Sequence, residues 1–350
     1  MADSPITQHD PGAPKPPKDG GAGTGSTGPE DATAEQKAQM EQAYAQMRRK
    51  LRITQLGEDI KHKVMVLSGK GGVGKSTVAT GLALSLANQG KKVGLMDIDI
   101  TGPNVPKMLG LEGAELHVEE GEIHPAVGPS GVKVISMAFL IENPDSPIIW
   151  RGPIKLGAIQ QFIGDVAWGE LDMMIIDFPP GTSDEPLTVA QTLPNIDGLV
   201  IVTTPQDVAL LDSRKAIGFA EQLKLPVLGV VENMSGYTIE GTAPAETELT
   251  VKGPRGEQLE TTADADGDWS VSLDIFKKGG GEATAKELGV PFLGALPFDP
   301  GIVRGGDDGV HRIVSDPQGT SAQAFAVVVD RMLEEIQLAK GEAGGGLEII

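Results

Sequence analysis

The ten residues from Ser68 to Thr77, SGKGGVGKST, constrain the fold of this chain more than any other stretch. They match G-x-x-x-x-G-K-[ST]. In this pattern the glycines let backbone N–H groups turn toward the phosphates of a nucleotide, the lysine neutralises the phosphate charge, and the hydroxyl of the Ser or Thr binds Mg²⁺. Val64 to Leu67 is an apolar run of strand length, and Thr77 to Gln89 is a helix-like run closed by Gly90. The pattern predicts a strand, loop and helix that bind a nucleoside triphosphate at the helix N-terminus.

The roles of the loop residues follow from this chemistry. We expect Lys75 to neutralise the β- and γ-phosphates and Ser76 to offer its hydroxyl to Mg²⁺. The remaining loop residues present mainly their backbone groups to the nucleotide. The predicted nucleotide-binding residues of the loop are Gly69, Lys70, Gly71, Gly72, Val73, Gly74, Lys75, Ser76 and Thr77.

Short apolar runs alternate with helix-like segments along the rest of the chain. Runs that are apolar on both faces are typical of a parallel sheet covered by helices. The sequence therefore predicts an α/β fold with a doubly wound, mostly parallel sheet, a P-loop NTPase with a small β-rich insertion. Strands are predicted at Val93 to Met96, Val132 to Met137, Met173 to Ile176, Leu199 to Val202, Val227 to Val231 and Phe292 to Leu296, and a β-hairpin excursion between Leu116 and Val134.

Two acidic positions stand where phosphoryl transfer needs carboxylates. Asp177 directly follows the apolar run Met173 to Ile176, and a strand that ends in a carboxylate in this way is the Walker B arrangement. The aspartate of that arrangement holds Mg²⁺, so we take Asp177, together with Ser76, as the metal site. Asp99 follows a second strand and can orient the attacking water. Gly181, just past Asp177, is a candidate switch whose N–H reaches the γ-phosphate. Asp97 is compatible with a role in capping a turn.

Composition narrows the possible partners and compartment. The formal charge of −20 and the pI near 4.6 argue against nucleic-acid and anionic-membrane partners, because both attract a basic face. No apolar run has the length of a membrane span, and the N-terminus lacks the pattern of a signal peptide, so we expect a cytoplasmic protein. The chain contains no cysteine, which removes disulfides, thiolate nucleophiles and thiolate metal ligands.

The composition changes along the chain predict its domain organisation. Residues 1–30 are rich in Pro, Gly, Ser and Thr and are expected to form a disordered tail. Residues 31–55 are predicted to form an amphipathic helix, which packs on its own domain or on a dimer partner. Residues 56–340 form the predicted ATPase domain, and residues 341–350 a flexible C-terminus.

Lys70 gives the phosphate loop the variant form K-G-G-x-G-K-[ST], often called the deviant Walker A motif. In this the chain resembles the ATPases that include MinD, ParA, the nitrogenase iron protein and the Mrp/ApbC proteins. In those proteins the extra lysine reaches across a dimer to the partner's nucleotide. The resemblance implies a homodimer, and the candidate catalytic residues are then Lys70, Lys75 and Asp99.

Longer segments resemble the Mrp/ApbC family of iron–sulfur cluster carrier ATPases over about residues 60–338. These segments are MDIDITGPNVPKMLG from Met96, IIWRGPIKLGAIQQFIGDVAWGELD from Ile148, IIDFPPGTSDEPLTVAQ from Ile175, VTTPQDVALLDSRKAI from Val202, VVENMSGY from Val230 and FKKGGGEATAKELGVPFLGALPFDP from Phe276. The resemblance implies ATP as the nucleotide, with Asn233 reading adenine and Pro297 lining the base. It also implies iron–sulfur assembly proteins or client apoproteins as partners. The alternative is a MinD/ParA-like switch that positions or recruits a protein.

The chain departs from this family where the cluster ligands should be. Most members carry a C-x-x-C segment that holds a bridging 4Fe–4S cluster, whereas residues 236–273 here form an insertion without cysteine, so ligation of a cluster by this chain is in doubt. Gly236 to Ile275 holds nine acidic residues against Lys252 and Arg255, a balance of −7. Three interpretations stay open: a solvated surface decoration, a docking arm with Trp269 and Tyr237 as anchors, or a Ca²⁺ site. The Ca²⁺ site would use Asp264, Asp266 and Asp268.

Overall fold

The structure, a computed structural model, describes residues 34–140, 152–181, 184–254, 256–276 and 278–344. The predicted tail at 1–30 and residues 345–350 of the predicted flexible C-terminus lie outside these ranges. Helix α1, Ala34–Asp59, begins in an N-terminal unit that ends at Met47 and continues into the larger unit from Arg48. It ends four residues later than the predicted boundary at 55, because Leu56 is buried in the core and β1 follows directly at Ile60.

An eight-stranded sheet forms the centre of the larger unit, in the spatial order β14-β9-β8-β1-β7-β2-β6-β5. All neighbouring strands are parallel except β5 and β6 at one edge. This confirms the predicted mostly parallel α/β fold. The strands are β1 (Ile60–Leu67), β2 (Val93–Asp97), β5 (Ala126–Val127), β6 (Lys133–Ser136), β7 (Leu171–Asp177), β8 (Gly198–Thr203), β9 (Val227–Glu232) and β14 (Phe292–Ala295).

Helices cover both faces of the sheet, because the strands carry apolar side chains on both faces. In β1, Val64 and Val66 belong to one apolar cluster, while Met65 and Leu67 belong to the cluster on the opposite face. Side chains of a strand point alternately to the two faces, so a strand apolar at every position requires a layer on each side. The helices are α2 (Lys75–Asn88), α3 (Val105–Met108), α4 (Gly152–Gly164), α5 (Asp184–Thr192), α6 (Asp207–Leu223), α7 (Gly280–Leu288), α8 (Pro300–Asp308), α9 (Arg312–Ser315) and α10 (Thr320–Gly344).

The C-terminal helix α10 packs on the sheet through a buried apolar stripe. Phe325, Val328, Met332 and Ile336 are each at most 1% exposed and belong to the same cluster as α2. The amphipathic pattern of this segment thus comes from core packing rather than from a membrane-binding face. Among the described residues, no helix combines the length and apolarity that a membrane crossing requires.

Two small β-structures lie outside the central sheet. The predicted hairpin excursion contains β3 (His117–Glu119) paired antiparallel with β4 (Glu122–His124). The insertion contains two nested antiparallel pairs, and its β-rich character agrees with the prediction. The outer pair is β10 (Tyr237–Thr242) with β13 (Asp268–Leu273), and the inner pair is β11 (Glu248–Lys252) with β12 (Gln258–Thr262).

Candidate nucleotide site

The phosphate loop connects β1 to α2 and contains backbone conformations that favour glycine. Gly72 and Gly74 have φ of 78° and 80°, in the left-handed region. A Cβ on Gly74 would also lie 2.2 Å from Nδ2 of Asn233, so this position has no room for a side chain. The loop lines a cavity of about 260 Å³ in front of α2, where backbone N–H groups and the helix N-terminus favour an anion.

Asp177 and Lys75 form a buried ion pair at the carboxyl edge of the sheet. Asp177 is the last residue of β7 and lies in register with Asp97 of β2 and Val66 of β1. Nζ of Lys75 is 2.5 Å from Oδ1 of Asp177 and 3.3 Å from the hydroxyl of Ser76. The lysine is 6% exposed and the aspartate 0%. The three predicted residues of the phosphate and metal site therefore lie together.

The second carboxylate oxygen of Asp177 identifies a place for a cation. Oδ2 is buried and has no hydrogen-bond partner among the residues that the structure describes. Burial raises the pKa of Asp177, and the charge of Lys75 and a hydrogen bond from Ser76 oppose that shift. Mg²⁺ prefers oxygen ligands and usually keeps several waters, so an unpaired carboxylate oxygen beside a serine hydroxyl fits it.

Asp99 lies at the rim of the phosphate cavity on the loop after β2. Its Oδ1 accepts hydrogen bonds from the backbone N–H of Thr101 at 2.9 Å and from the Thr101 hydroxyl at 2.6 Å. Asp97 lies beneath it: Oδ1 of Asp97 accepts from the N–H of Asp99 at 3.1 Å, and Oδ2 from the hydroxyl of Ser136 at 2.7 Å. Burial, and then the charge of Asp177, raises the pKa of Asp97 to about 8. Asp97 therefore holds the loop that presents Asp99.

Lys70 is a residue of the phosphate loop, and Gly181 is hydrogen-bonded to the start of that loop. Lys70 is half-buried and lines the cavity. Gly181 has φ of 91°, and its N–H donates to the carbonyl of Ser68 at 3.0 Å. A switch at Gly181 would have to exchange this hydrogen bond for one to the γ-phosphate.

A second cavity of about 350 Å³ adjoins the phosphate cavity, and the two share Thr77, Asn104 and Met108. Asn233 and Pro297, predicted to contact the base, both line it. Nδ2 of Asn233 donates to the carbonyl of Val73 at 2.9 Å, so this side chain also fixes the phosphate loop. Most of the lining is apolar, with Met108, Met234, Phe298, Ile302 and Val303. The two cavities together have the layout that a nucleotide needs.

His311 lines the second cavity and was missed by sequence reasoning. It is 1% exposed and precedes α9, where its Nδ1 accepts from the N–H of Ile313 at 3.3 Å. Burial lowers the pKa of His311 to about 4. No motif surrounds this residue, and only the packing of α9 against α2 and α8 brings it to the cavity that Asn233 also lines.

The lowered pKa of His311 predicts that the stability of the protein depends on pH. Because its pKa is near 4 when folded and 6.5 when unfolded, the unfolded chain binds more protons between these values. The stability that neutral His311 contributes is complete above about pH 6.5 and is lost as the pH falls to about 4. Relative to His311→Asn, the wild type should lose up to about 3 kcal/mol over this range. Urea unfolding of both proteins at pH 7 and pH 4.5 measures this difference in the free energy of unfolding. Equal losses of stability in the two proteins would contradict the lowered pKa of His311.

Two glycines at the start of α7 donate hydrogen bonds within the chain. Glu232, at the end of β9, accepts from the N–H of Gly279 at 3.1 Å and of Gly281 at 2.5 Å. These N–H groups therefore hold the N-terminus of α7 in place.

The insertion joins the ATPase body next to the second cavity. The ring of Tyr237 meets the ring of Phe298 edge-on, with centroids 6.0 Å apart, so Tyr237 anchors the insertion to its own chain. Among the described residues, no three His, Cys, Asp or Glu side chains are grouped as metal ligands. Oδ1 of Asp264 instead accepts from the N–H groups of Asp266 and Asp268 at 2.9 Å, so the geometry lends no support to the Ca²⁺ interpretation of the insertion.

Comparison with known proteins agrees with this geometry. A ParA family model described as "NUBPL iron-transfer P-loop NTPase" matches residues 59–264 and 263–333. An "Iron-sulfur cluster carrier protein" of Methanocaldococcus jannaschii is 44% identical over 278 residues, 79% of this chain and 86% of the relative. A "Cytosolic Fe-S cluster assembly factor NUBP2 homolog" of Nematostella vectensis is 45% identical over 254 residues, 71% of this chain and 84% of the relative.

Solved structures show the same fold. A nucleotide-binding protein from Archaeoglobus fulgidus in complex with ADP superposes with a TM-score of 0.59 at 34% identity, covering 79% of this chain and 96% of the other. The cell division ATPase MinD of Pyrococcus furiosus superposes with a TM-score of 0.53 at 22% identity, covering 78% and 99%. The likeness to MinD concerns the fold alone.

Proposed function

Because this chain belongs to the ParA-type family of NUBPL iron-transfer P-loop NTPases, we propose that it binds and hydrolyses ATP to assist the assembly or delivery of iron–sulfur clusters. The observation that carries the ATPase part is the buried pair of Lys75 and Asp177 under the phosphate loop, with Oδ2 of Asp177 unpaired among the described residues. The names of the relatives support iron–sulfur assembly.

The site residues would act on the phosphates in distinct ways. When ATP enters, Lys75 exchanges part of its pairing with Asp177 for the phosphates, where its charge stabilises the transition state. Ser76 and Asp177 would hold Mg²⁺, whose charge would neutralise the phosphate oxygens. Asp99, fixed from below by Asp97, orients the attacking water. The base lies in the second cavity against Asn233 and Pro297.

We further propose that the protein acts as a homodimer in the cytoplasm. The dimer is supported by Lys70, whose place in the loop is that of the lysine that crosses to the partner's nucleotide in related ATPases. The cytoplasmic location is supported by the relatives that are named cytosolic assembly factors. Residues 56–340 would form the ATPase domain, since the family model covers residues 59–333.

The iron–sulfur cluster is cargo in this proposal, and this chain supplies no thiolate to hold it. Cluster ligation depends on cysteine thiolates, with histidine as an occasional replacement. Purified protein reconstituted anaerobically with iron and sulfide should therefore stay colourless after desalting. Visible absorbance and iron content provide the measurement, with a cysteine-containing relative as the positive control. A stoichiometric, chelator-resistant cluster would show that oxygen or nitrogen ligands suffice.

With no cluster of its own, the protein would need a partner that supplies cysteines, and the acidic insertion is a candidate docking arm. Deletion of residues 236–273 should then abolish capture of iron–sulfur assembly proteins while ATPase activity persists. A variant with Asp264, Asp266 and Asp268 changed to Asn tests whether charge carries the docking. Recovery of only septation or partition proteins would favour the MinD/ParA-like alternative, which has support only at the level of the fold.

A further inference from the structure

Two histidines face each other across the β3–β4 hairpin. His117 of β3 is the cross-strand partner of His124 of β4, and their ring centroids lie 6.2 Å apart. Of the five histidines in the chain, His62 lies 3.3 Å from a carboxylate oxygen of Asp197, and His311 is buried. Among the residues that the structure describes, His117 and His124 are therefore the histidines with exposed rings.

The turn of the hairpin fixes this alignment. Glu120 and Gly121 connect the two strands and have φ of 52° and 77°, both in the left-handed region. A two-residue turn with this backbone conformation matches the twist of a hairpin and sets the register of its strands. Side chains two residues apart on a strand point to the same face, so Glu119 lies on the same face as His117. The register thus places two imidazoles and a carboxylate on one exposed face.

Contacts along the outer edge of β4 hold the hairpin against the rest of the larger unit. The N–H of Ile123 donates to the carbonyl of Asp165 at 2.8 Å, and the N–H of Ala167 donates to the carbonyl of Ile123 at 2.9 Å. Arg52 of α1 lies 2.6 Å from a carboxylate oxygen of Glu122. Because the backbone of β4 is held in this way, side-chain rotations alone suffice to bring both rings to one ligand, and a fixed backbone lowers the entropy cost of binding.

Two opposed imidazoles can chelate a metal ion. Imidazole nitrogen is a ligand of zinc, copper, iron and nickel, and it binds Zn²⁺ at about 2.0–2.1 Å. Two such nitrogens in tetrahedral geometry are ~3.3 Å apart. Rings whose centroids are 6.2 Å apart reach this separation by side-chain rotation. Oε2 of Glu119 lies 3.9 Å from Nε2 of His124, and its negative charge attracts a cation to the same place.

We propose that His117 and His124 bind a divalent first-row transition metal ion, for which Zn²⁺ is the probe. The described side chains form no group of three His, Cys, Asp or Glu ligands, so water completes the coordination. The chain has no cysteine, and this site gives it a metal-binding group built on nitrogen donors. The inference does not depend on ATP binding, because the hairpin lines neither of the two nucleotide cavities.

The experiment is calorimetric titration of ZnCl₂ into the full chain, with excess Mg²⁺ present to occupy sites made of oxygen ligands. Zn²⁺ has no redox chemistry and binds nitrogen sites more tightly than Fe²⁺ does. The wild type should bind about one equivalent of Zn²⁺ that the double variant His117→Gln/His124→Gln lacks. Each single substitution should weaken this binding about a hundredfold, because it removes the second arm of the chelate. His62→Gln is the matched control and should keep the wild-type affinity.

Placement of the ion has its own measurement. Paramagnetic Ni²⁺, a second imidazole-binding metal, should broaden the ring proton resonances of His117 and His124 and leave those of His311 unchanged. Thermal unfolding at pH 7 confirms that the variants compared are folded. Superimposable Zn²⁺ isotherms of the wild type and the double variant would overturn the proposal. An equal loss of affinity in His62→Gln would overturn it as well, because the ion would then bind outside the hairpin.

Discussion

Replacing Lys75 by alanine should weaken ATP binding and abolish ATP hydrolysis. The ammonium group of Lys75 is the buried positive charge beside Ser76 and Asp177, and an enclosed site makes its interaction with phosphate oxygens much stronger than in water. Its loss removes stabilisation from both the bound nucleotide and the transition state. Steady-state phosphate release and calorimetric ATP binding measure the two effects separately. Undiminished hydrolysis in this variant would contradict the assignment of the site.

The same substitution leaves Asp177 buried without its partner, so folding must be checked. Removing one member of a buried ion pair typically costs about 3–5 kcal/mol. Burial already raises the pKa of Asp177, and without Lys75 this carboxyl should take up a proton, which limits the loss. Lys75→Met fills more of the vacated space and serves as the second variant. Lys61→Ala, which breaks the exposed pair of Lys61 and Asp172, is the matched control and should keep full activity.

Replacing Lys70 by alanine should leave ATP binding largely intact and reduce hydrolysis by about a thousandfold. A positive group supplied across an interface can contribute about 4 kcal/mol to the chemical step, whereas it contributes less to the ground state. Calorimetric binding of ATP beside single-turnover hydrolysis separates binding from chemistry. Lys92→Ala, at a solvent-exposed lysine that does not line the phosphate cavity, is the control and should hydrolyse ATP at the wild-type rate.

Mixing Lys70→Ala with Asp99→Ala tests whether Lys70 acts across the dimer. If Lys70 serves the partner's site, each single variant has two defective sites, but a mixed dimer has one site with both residues intact. Equal amounts of the two proteins should then recover a substantial part of the activity. Subunit exchange must be confirmed with differently labelled chains. Exchange without recovery would show that Lys70 acts on its own nucleotide.

The sequence by itself determined the parts of this protein whose chemistry is local. The phosphate loop needs consecutive residues, with glycines at positions of left-handed backbone and a lysine and a serine at the start of α2. The fold followed from strands apolar on both faces, as in β1. Asp177 was predictable because the carboxyl ends of parallel strands meet at one edge of the sheet, where a terminal carboxylate joins the loop.

Only the tertiary structure decided which side chains from distant segments meet. Asn233 bonds to Val73 across 160 positions of the chain, and Gly181 donates to Ser68. His311 has no motif, and only the tertiary structure shows that it is buried and that its Nε2 has no hydrogen-bond partner among the described residues. The physical reason is that a hydrogen bond or a pKa depends on distance and exclusion of water, which packing sets, whereas a sequence pattern reports only the spacing of residues along the chain.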